Sequence, residues 1–190
     1  MPTIKMLLLT SFLLVLFISS ASTATVSLKV SGPGAINDST IKVGEKVSID
    51  VYFVNKSNYK GFSLGFKFTS PDIKNVTHIA DSGKGLNNNG DIKGYNGWND
   101  KSIWDFGGVY TVEKNWDGKL PELIGFGGLS IKKGYSPHEL AKNLSIEMQF
   151  NETGSVIVDS TFFPPSGKWM FAPPTYIPQW EGPYTFKVVK

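Results

Sequence analysis

The sequence predicts an all-β fold, a two-sheet antiparallel β-sandwich of the jelly-roll or immunoglobulin type with about nine strands. Apolar and polar residues alternate in repeated short runs, which indicates strands that each bury one face. Clusters of Gly, Asn, Asp and Pro separate these runs, and no long stretch has helical periodicity. The chain of 190 residues is 41% hydrophobic and 13% aromatic, so it can bury a core of ordinary domain size.

The first 24 residues have the layout of a secretory signal peptide. A short segment with Lys5 precedes an apolar run over residues 6–18, and small residues follow as far as Ala24. Because the apolar run is short for a membrane span, we expect cleavage after Ala21 or Ala24, with an uncleaved N-terminal anchor as the alternative. Residues 25–190 are then predicted to form a single secreted β-sandwich domain.

Five runs alternate clearly and are predicted as strands. Apolar side chains occupy every second position, so one face of each run can lie on the core. The five runs are Val26–Val30, Val47–Phe53, Phe62–Phe68, Leu144–Phe150 and Tyr184–Val188.

Weaker patterns predict further strands, and one local signal predicts a helical turn. The weaker strands are Val76–Ala80, Ile103–Tyr110, Leu123–Ile131, Ser155–Asp159 and Lys168–Phe171. Residues 136–143 begin with a serine followed by proline at the first helical position, which favours a single helical turn.

Composition excludes several classes of protein. The absence of Cys excludes disulfide scaffolds, thiolate metal sites, iron–sulfur clusters and cysteine nucleophiles. All 19 basic residues are lysine and 16 carboxylates nearly balance them, so nucleic-acid binding is not predicted. His78 and His138 have no second histidine at metal-ligand spacing and no nucleophile motif nearby, so the chain is predicted not to be an enzyme.

Two segments carry a resemblance to known proteins. In the first, a Gly44-Glu45 turn leads into a long alternating strand, and the next strand ends at Ser70-Pro71-Asp72. This order resembles the start of cohesin-like and carbohydrate-binding-module-like sandwiches of secreted bacterial proteins. Residues 159–184 are similar to the end of exported bacterial domains, some of which lie beside dockerin modules, although this chain has no dockerin repeat. The resemblance implies the fold and supplies no catalytic residues.

Aromatic and polar residues concentrate in the centre of the chain. Trp and Tyr rings stack on the apolar faces of sugars, while Asn and Asp bind hydroxyl groups, so this mixture suits glycan binding. Trp98 is expected to be exposed because the run 94–100 is rich in Gly and Asn. The candidate ligand-binding residues are Tyr95, Trp98, Asn99, Asp100 and Trp116. Alternatively the tryptophans belong to the core, with Trp104 and Trp116 closing the ends of the sandwich.

Two other clusters have simpler structural interpretations. Oxygen ligands for calcium gather at Asn87, Asn89, Asp91, Asn99 and Asp100, but the spacing matches no known calcium loop and ordinary turns explain it. No cofactor is therefore predicted. The runs 162–165 and 169–174, rich in aromatics and Pro, could form an aromatic platform, but we expect them to fix a loop against a sheet edge.

The predicted function is that of a secreted, non-catalytic module that binds carbohydrate or mediates cell-surface adhesion. The expected partner is a polysaccharide or cell-surface glycan, with no membrane contact after signal cleavage. One alternative is a surface, filament or matrix subunit that pairs with another protein by strand exchange, since a strand starts at Thr25. A small glycan-active hydrolase with paired carboxylates is the other alternative.

Glycosylation sequons are a last feature of the sequence. The pattern Asn-x-Ser/Thr occurs at Asn37, Asn55, Asn75, Asn143 and Asn151. These asparagines would accept glycans only in a cell with the transfer machinery, and some matches are expected by chance in a chain rich in Asn, Ser and Thr.

Overall fold

The computed structural model describes residues 24–55, 58–78, 95–98, 106–110, 117–129, 131, 138–162, 169–173 and 175–190. Within these ranges the chain forms fourteen strands in two sheets. The predicted all-β sandwich is confirmed. In the same ranges, no helix has the length and apolar character needed to cross a membrane. The predicted signal peptide lies outside the described residues, apart from Ala24.

The strands vary from two to thirteen residues in length. In chain order they are β1 (Thr25–Ser31), β2 (Ala35–Asn37), β3 (Thr40–Lys42), β4 (Lys46–Asn55), β5 (Gly61–Thr69), β6 (Val76–His78), β7 (Tyr95–Trp98), β8 (Phe106–Tyr110), β9 (Glu122–Leu129), β10 (His138–Phe150), β11 (Gly154–Ser160), β12 (Met170–Ala172), β13 (Gln179–Trp180) and β14 (Tyr184–Val189).

The two sheets are mixed, although most of their strand pairs are antiparallel. Sheet A has the order β13-β1-β4-β10-β6, and β7 also pairs with β10. Sheet B has the order β2-β3-β14-β11-β5-β9-β8, and β12 also pairs with β5. The pairs β1–β13 and β14–β3 are parallel. Strands from distant parts of the chain meet in these parallel pairs, which local alternation could not predict.

The structure has more strands than the sequence predicted. All five clearly alternating runs are strands, and the weaker runs contribute β6, β8, β9, β11 and β12. The additional strands are β2, β3, β7 and β13, each of two to four residues. Such segments are too short for a period of two to be recognised, and only their pairing with neighbours defines them.

The helical turn predicted over residues 136–143 is wrong, because β10 begins at His138 and continues as strand to Phe150. The register with β4 starts at His138↔Asn55 and shifts twice before Leu144. Sheet pairing with β4 therefore outweighs the local signal of serine and proline, and the shifts accommodate the irregular start of the strand.

The core lies between the sheets and is built by the alternating apolar residues. The inner face of sheet A carries aliphatic side chains from β1, β4 and β10, whereas phenylalanine dominates β5 in sheet B. Its fully buried members include Val26, Val47, Ile49, Val51, Leu144, Ile146, Met148, Phe66, Phe68, Ile124 and Phe126. Since the chain has no cysteine, apolar packing and backbone hydrogen bonds hold the sheets together without covalent help.

Trp180 joins the sheets at one edge. Its backbone pairs with Val26 in sheet A, while its indole Nε1 donates a hydrogen bond of 2.9 Å to Asp159 Oδ1 in sheet B. The ring also lies 5.1 Å from the ring of Trp169. Gly182 packs on this indole so closely that a Cβ atom would lie 2.4 Å from two ring carbons.

Tyr184 adds a second link at the same edge. Its hydroxyl accepts a hydrogen bond from the backbone N–H of Leu28 in β1 and lies 3.5 Å from Glu181 Oε2, to which it donates. Burial raises the pKa of Tyr184 above 10.0, the nearby Glu181 carboxylate raises it further, and the bond from Leu28 opposes the shift. The phenol is therefore held in its neutral form.

Replacing Gly182 with Ala should destabilise the fold by about 2 to 3 kcal/mol, because the indole is held by Asp159 and cannot move away from the new methyl group. Gly44→Ala is the control. Its φ is +76°, but a Cβ atom at this position would have no neighbouring residue within 4 Å, so only backbone strain of about 1 kcal/mol is expected. Urea unfolding measures both variants. Equal losses would contradict the proposed clash with Trp180.

The stability of the protein should depend on the Tyr184 proton at alkaline pH. The folded-state pKa lies above the unfolded value, so this stabilisation is complete below pH 10.0 and is lost as the pH rises through the folded pKa. The difference in unfolding free energy between the native protein and Tyr184→Phe should thus narrow as the pH rises above 10.0. A difference that stays constant over this range would refute the coupling.

Candidate functional site

The structure describes only part of the sequence-predicted glycan site. Tyr95 and Trp98 lie in β7, paired with Ile146 and Leu144 of β10. Their side chains, and the whole of Asn99, Asp100 and Trp116, lie outside the described residues. Residues 95–98, within the run rich in Gly and Asn, form a strand because β10 supplies backbone partners. The glycan site itself stays a prediction.

The calcium-site residues between Asn87 and Asp100 also lie outside the described ranges. Within those ranges, no group of three or more His, Cys, Asp or Glu residues is placed to hold a metal ion.

Aromatic residues of the closing segment belong mainly to the core. Phe171 is fully buried and its ring lies 4.3 Å from that of Tyr59 and 5.7 Å from that of Tyr176. Trp169 donates from Nε1 to the carbonyl oxygen of Gly65 at 2.7 Å. Residues 170–172 of this segment form β12 and pair with β5, which is an internal strand of sheet B and not the expected sheet edge.

The outer face of sheet A carries a serine–aspartate cluster, consisting of Ser31, Ser48, Asp50 and Ser145 from β1, β4 and β10. Asp50 Oδ2 accepts a hydrogen bond of 2.7 Å from Ser31 Oγ. Its Oδ1 accepts bonds of 2.9 Å from Ser48 Oγ and 2.5 Å from Ser145 Oγ. Asp50 is 1% exposed, so these charge-assisted bonds compensate the cost of removing its carboxylate from water.

Charged groups beside this cluster are also paired. Lys46 Nζ lies 2.7 Å from Glu147 Oε2, and Lys29 Nζ lies 5.2 Å from the centre of the Tyr52 ring. All three hydroxyls of the cluster donate to the Asp50 carboxylate. These contacts give the cluster a structural role, because they link β1, β4 and β10.

A buried contact between a histidine and a glutamate connects the sheets at the opposite edge from Trp180. His78 Nε2 in β6 lies 3.0 Å from Glu122 Oε1 in β9, and the Glu122 side chain is fully buried. Glu122 Oε1 also accepts a bond of 2.6 Å from the backbone N–H of Gly118. His78 and Glu122 therefore link β6 of sheet A to β9 of sheet B.

The outer face of sheet B differs from that of sheet A because small residues occupy its centre. Phe62, Leu64 and Phe66 of β5 enter the core, so the residues between them lie on the outer face. The register between β5 and β9 arranges residues of this face in three rows: Gly61 lies opposite Leu129, Ser63 opposite Gly127, and Gly65 opposite Gly125. We call the surface formed by these six residues the glycine-floored face.

Apolar side chains border the glycine-floored face. Met170 and Ala172 of β12 lie opposite Ser63 and Gly61. Leu129 is 48% exposed, whereas Leu123, Met170 and Ala172 are half-buried and the floor residues Gly125 and Gly127 are buried. Outward positions of a sandwich are ordinarily polar, so this face departs from the usual pattern in its missing side chains and its exposed leucine. The glycine-rich run Gly125–Gly128, interrupted only by Phe126, is the feature of the sequence that could have indicated this face.

Comparison with known proteins identifies the fold. No known family model and no curated protein matches this chain. A structure titled as a type II cohesin–X-dockerin complex from Acetivibrio cellulolyticus superposes with a TM-score of 0.55, at 8% identity over 87% of this chain and 99% of the other. The fold is cohesin-like. A type I cohesin–dockerin complex from Clostridium thermocellum gives a TM-score of 0.50, at 12% identity over the same fractions of the two chains. The cohesin-like resemblance predicted from the sequence is confirmed at the level of the fold.

Asp50→Asn should destabilise the cohesin-like domain by about 2 to 3 kcal/mol. In the native protein the serine hydroxyls donate to the Asp50 carboxylate, whereas the amide group of Asn would turn a second donor towards one of them. Asp38→Asn, at an exposed turn position, should change stability by less than about 0.5 kcal/mol. Thermal or urea unfolding of both variants gives the comparison. If Asp50→Asn unfolds like the control, the cluster does not fasten sheet A.

Proposed function

We propose that this chain is a secreted, non-catalytic module that binds a partner protein through the glycine-floored face of sheet B. The observation that carries the proposal is the exposed Leu129 beside a floor of small residues on an outward sheet face. The cohesin-like fold supports it, since both structures compared above are titled as complexes of a cohesin with a dockerin. The class of partner proposed is therefore a dockerin-like module.

The chemistry of the two outer faces favours sheet B. On sheet A, the serine–aspartate cluster satisfies its own polar groups, so covering it with a partner would gain few new bonds. On sheet B, Leu129 is 48% exposed and would lose apolar surface to a partner. Lys67 is exposed on the same face, opposite Leu123, so a partner with a carboxylate near its apolar contact would be complementary.

The sequence also supports an extracellular location for the module. The signal-peptide layout of residues 1–24 is the basis for this part of the proposal.

Strand exchange is a less suitable mode of assembly. The strand from Thr25 pairs with β4 over all of its seven residues, and β13 adds a second neighbour at Thr25 and Val26. Donation of β1 to another molecule would break these bonds. A partner that docks on a face leaves them intact.

Carbohydrate binding remains the second candidate, because of the aromatic and polar residues in the centre of the sequence. Its proposed contacts are Tyr95, Trp98, Asn99, Asp100 and Trp116. Stacking on Trp98 would supply most of its affinity. This candidate does not involve the glycine-floored face.

The proposed interface can be tested with purified mature protein and a panel of type I and type II dockerin modules, with affinity measured by calorimetry. Leu129→Asp should weaken binding by at least about tenfold, because it places a charge in an apolar contact. The control Ile36→Asp changes a residue of similar exposure, 53% against 48%, at the far edge of sheet B. It should bind like the native protein.

Three results would contradict the proposed interface. Equal loss of affinity in both variants would indicate a general effect of charge or stability. Unchanged affinity of Leu129→Asp would exclude the glycine-floored face. Failure to bind any dockerin, together with binding to a polysaccharide that Trp98→Ala abolishes, would establish the second candidate instead.

A further inference from the structure

The sequon at Asn37 lies in a two-residue turn at the outermost edge of sheet B. Asn37 ends β2, Asp38 and Ser39 form the turn, and β3 begins at Thr40. Residues 36–39 are all exposed. The side-chain oxygen of Asn37 accepts bonds from the backbone N–H of Ser39 at 3.0 Å and from its hydroxyl at 3.3 Å. Its amide nitrogen Nδ2 donates to none of the described residues.

The sequons at Asn75 and Asn151 are exposed but their amide nitrogens are engaged. Asn151 Nδ2 donates to Thr77 Oγ1 at 2.8 Å, so it binds the hydroxyl that completes the sequon of Asn75. Asn75 Nδ2 donates to Glu152 Oε1 at 3.4 Å, within the sequon of Asn151. The two sequons therefore bind each other in the folded domain. The side chains of Asn55 and Asn143 lie outside the described residues.

Transfer of a glycan to asparagine requires a free amide nitrogen and an accessible sequon hydroxyl. In the transfer, a bond forms between Nδ2 and C1 of the sugar, and the bond from C1 to the phosphate oxygen of a lipid-linked oligosaccharide breaks. The amide loses one proton and the lipid pyrophosphate leaves. At Asn37 the amide nitrogen donates to none of the described residues, and the exposed Ser39 hydroxyl is bound within its own sequon, to Asn37 Oδ1. Asn75 and Asn151 must first give up their mutual contacts.

We infer that Asn37 is the N-glycan acceptor that the folded domain offers in preference to Asn75 and Asn151. The inference goes beyond partner binding and needs only that the chain crosses a membrane to a compartment with the lipid-linked donor. A glycan here would stand beside Ile36, which is 53% exposed on an edge strand, and would shield that edge from pairing with other chains.

The position of Asn37 separates this inference from the proposed function. In sheet B, β2 and β9 are separated by β3, β14, β11 and β5. A glycan on β2 would therefore leave the surface around Leu129 uncovered. The prediction of dockerin binding and the prediction of glycan occupancy can therefore fail independently of each other.

The test uses the purified folded protein, a single-subunit oligosaccharyltransferase and a lipid-pyrophosphate-linked oligosaccharide. Site occupancy is measured by mass spectrometry after digestion. We expect the folded protein to carry glycan at Asn37 with at least about tenfold higher occupancy than at Asn75 or Asn151. Unfolded chain treated in the same way should gain occupancy at Asn75 and Asn151, because their mutual bonds are absent.

Matched variants define the acceptor. Asn37→Gln and Ser39→Ala should each abolish the glycan at position 37 of the folded protein, whereas Asp38→Ala keeps the sequon and should be modified like the native chain. Absence of glycan at Asn37 in the folded protein would overturn the inference, whether or not the unfolded chain is modified. Equal occupancy at Asn37, Asn75 and Asn151 in the folded protein would overturn it as well.

Discussion

The hydrogen bond from the Trp180 indole to Asp159 holds together the edge at which the chain crosses from sheet A to sheet B. A sandwich without cysteine must fix the relative position of its sheets by packing and by such polar links. Trp180 does both, since its ring packs on Trp169 and Phe66 while its backbone pairs with β1. Gly182 is the residue that lets the chain turn against the face of the ring. The pairing of β13 with β1 therefore fixes the place at which the chain leaves sheet A before it enters sheet B as β14.

The constraint at this edge leaves the two outer faces free to differ in chemistry. Sheet A is fastened by Asp50, whose carboxylate accepts hydroxyl bonds from its own strand and from two neighbouring strands and is removed from water at little net cost. Sheet B needs no such fastening between β5 and β9, because their phenylalanine side chains already pack in the core, with the rings of Phe66 and Phe126 6.0 Å apart. Its outward positions can therefore be glycine, which would weaken a less well-packed sheet. The face with the fewest side chains lies over the most aromatic part of the core.

Sequence alternation could predict the long strands and the inner residues, because a period of two places every second side chain in the core. It could not predict β13, whose two residues become a strand only because Ala24 and Val26 accept the backbone bonds of Gln179 and Glu181. The helical turn before Asn143 was wrong for a related reason, since β4 supplied partners that a local pattern cannot reveal. Asp50 alternates like any solvent-facing polar residue, and nothing in the sequence marks the burial that its three serine partners make possible. The fold was therefore predictable to a greater degree than the sites on it.

The division of tryptophans bears on the choice between a protein and a sugar as partner. The chain has five tryptophans, and the structure commits two of them to the core edge, since Trp169 and Trp180 donate their indole N–H groups to Gly65 and Asp159. Neither ring is then available as a sugar platform. A stacking surface built from tryptophan would therefore come from Trp98, Trp104 and Trp116, which all lie within residues 95–116. The glycine-floored face carries no such requirement, because its exposed leucine can lose apolar surface to another polypeptide without a stacked ring.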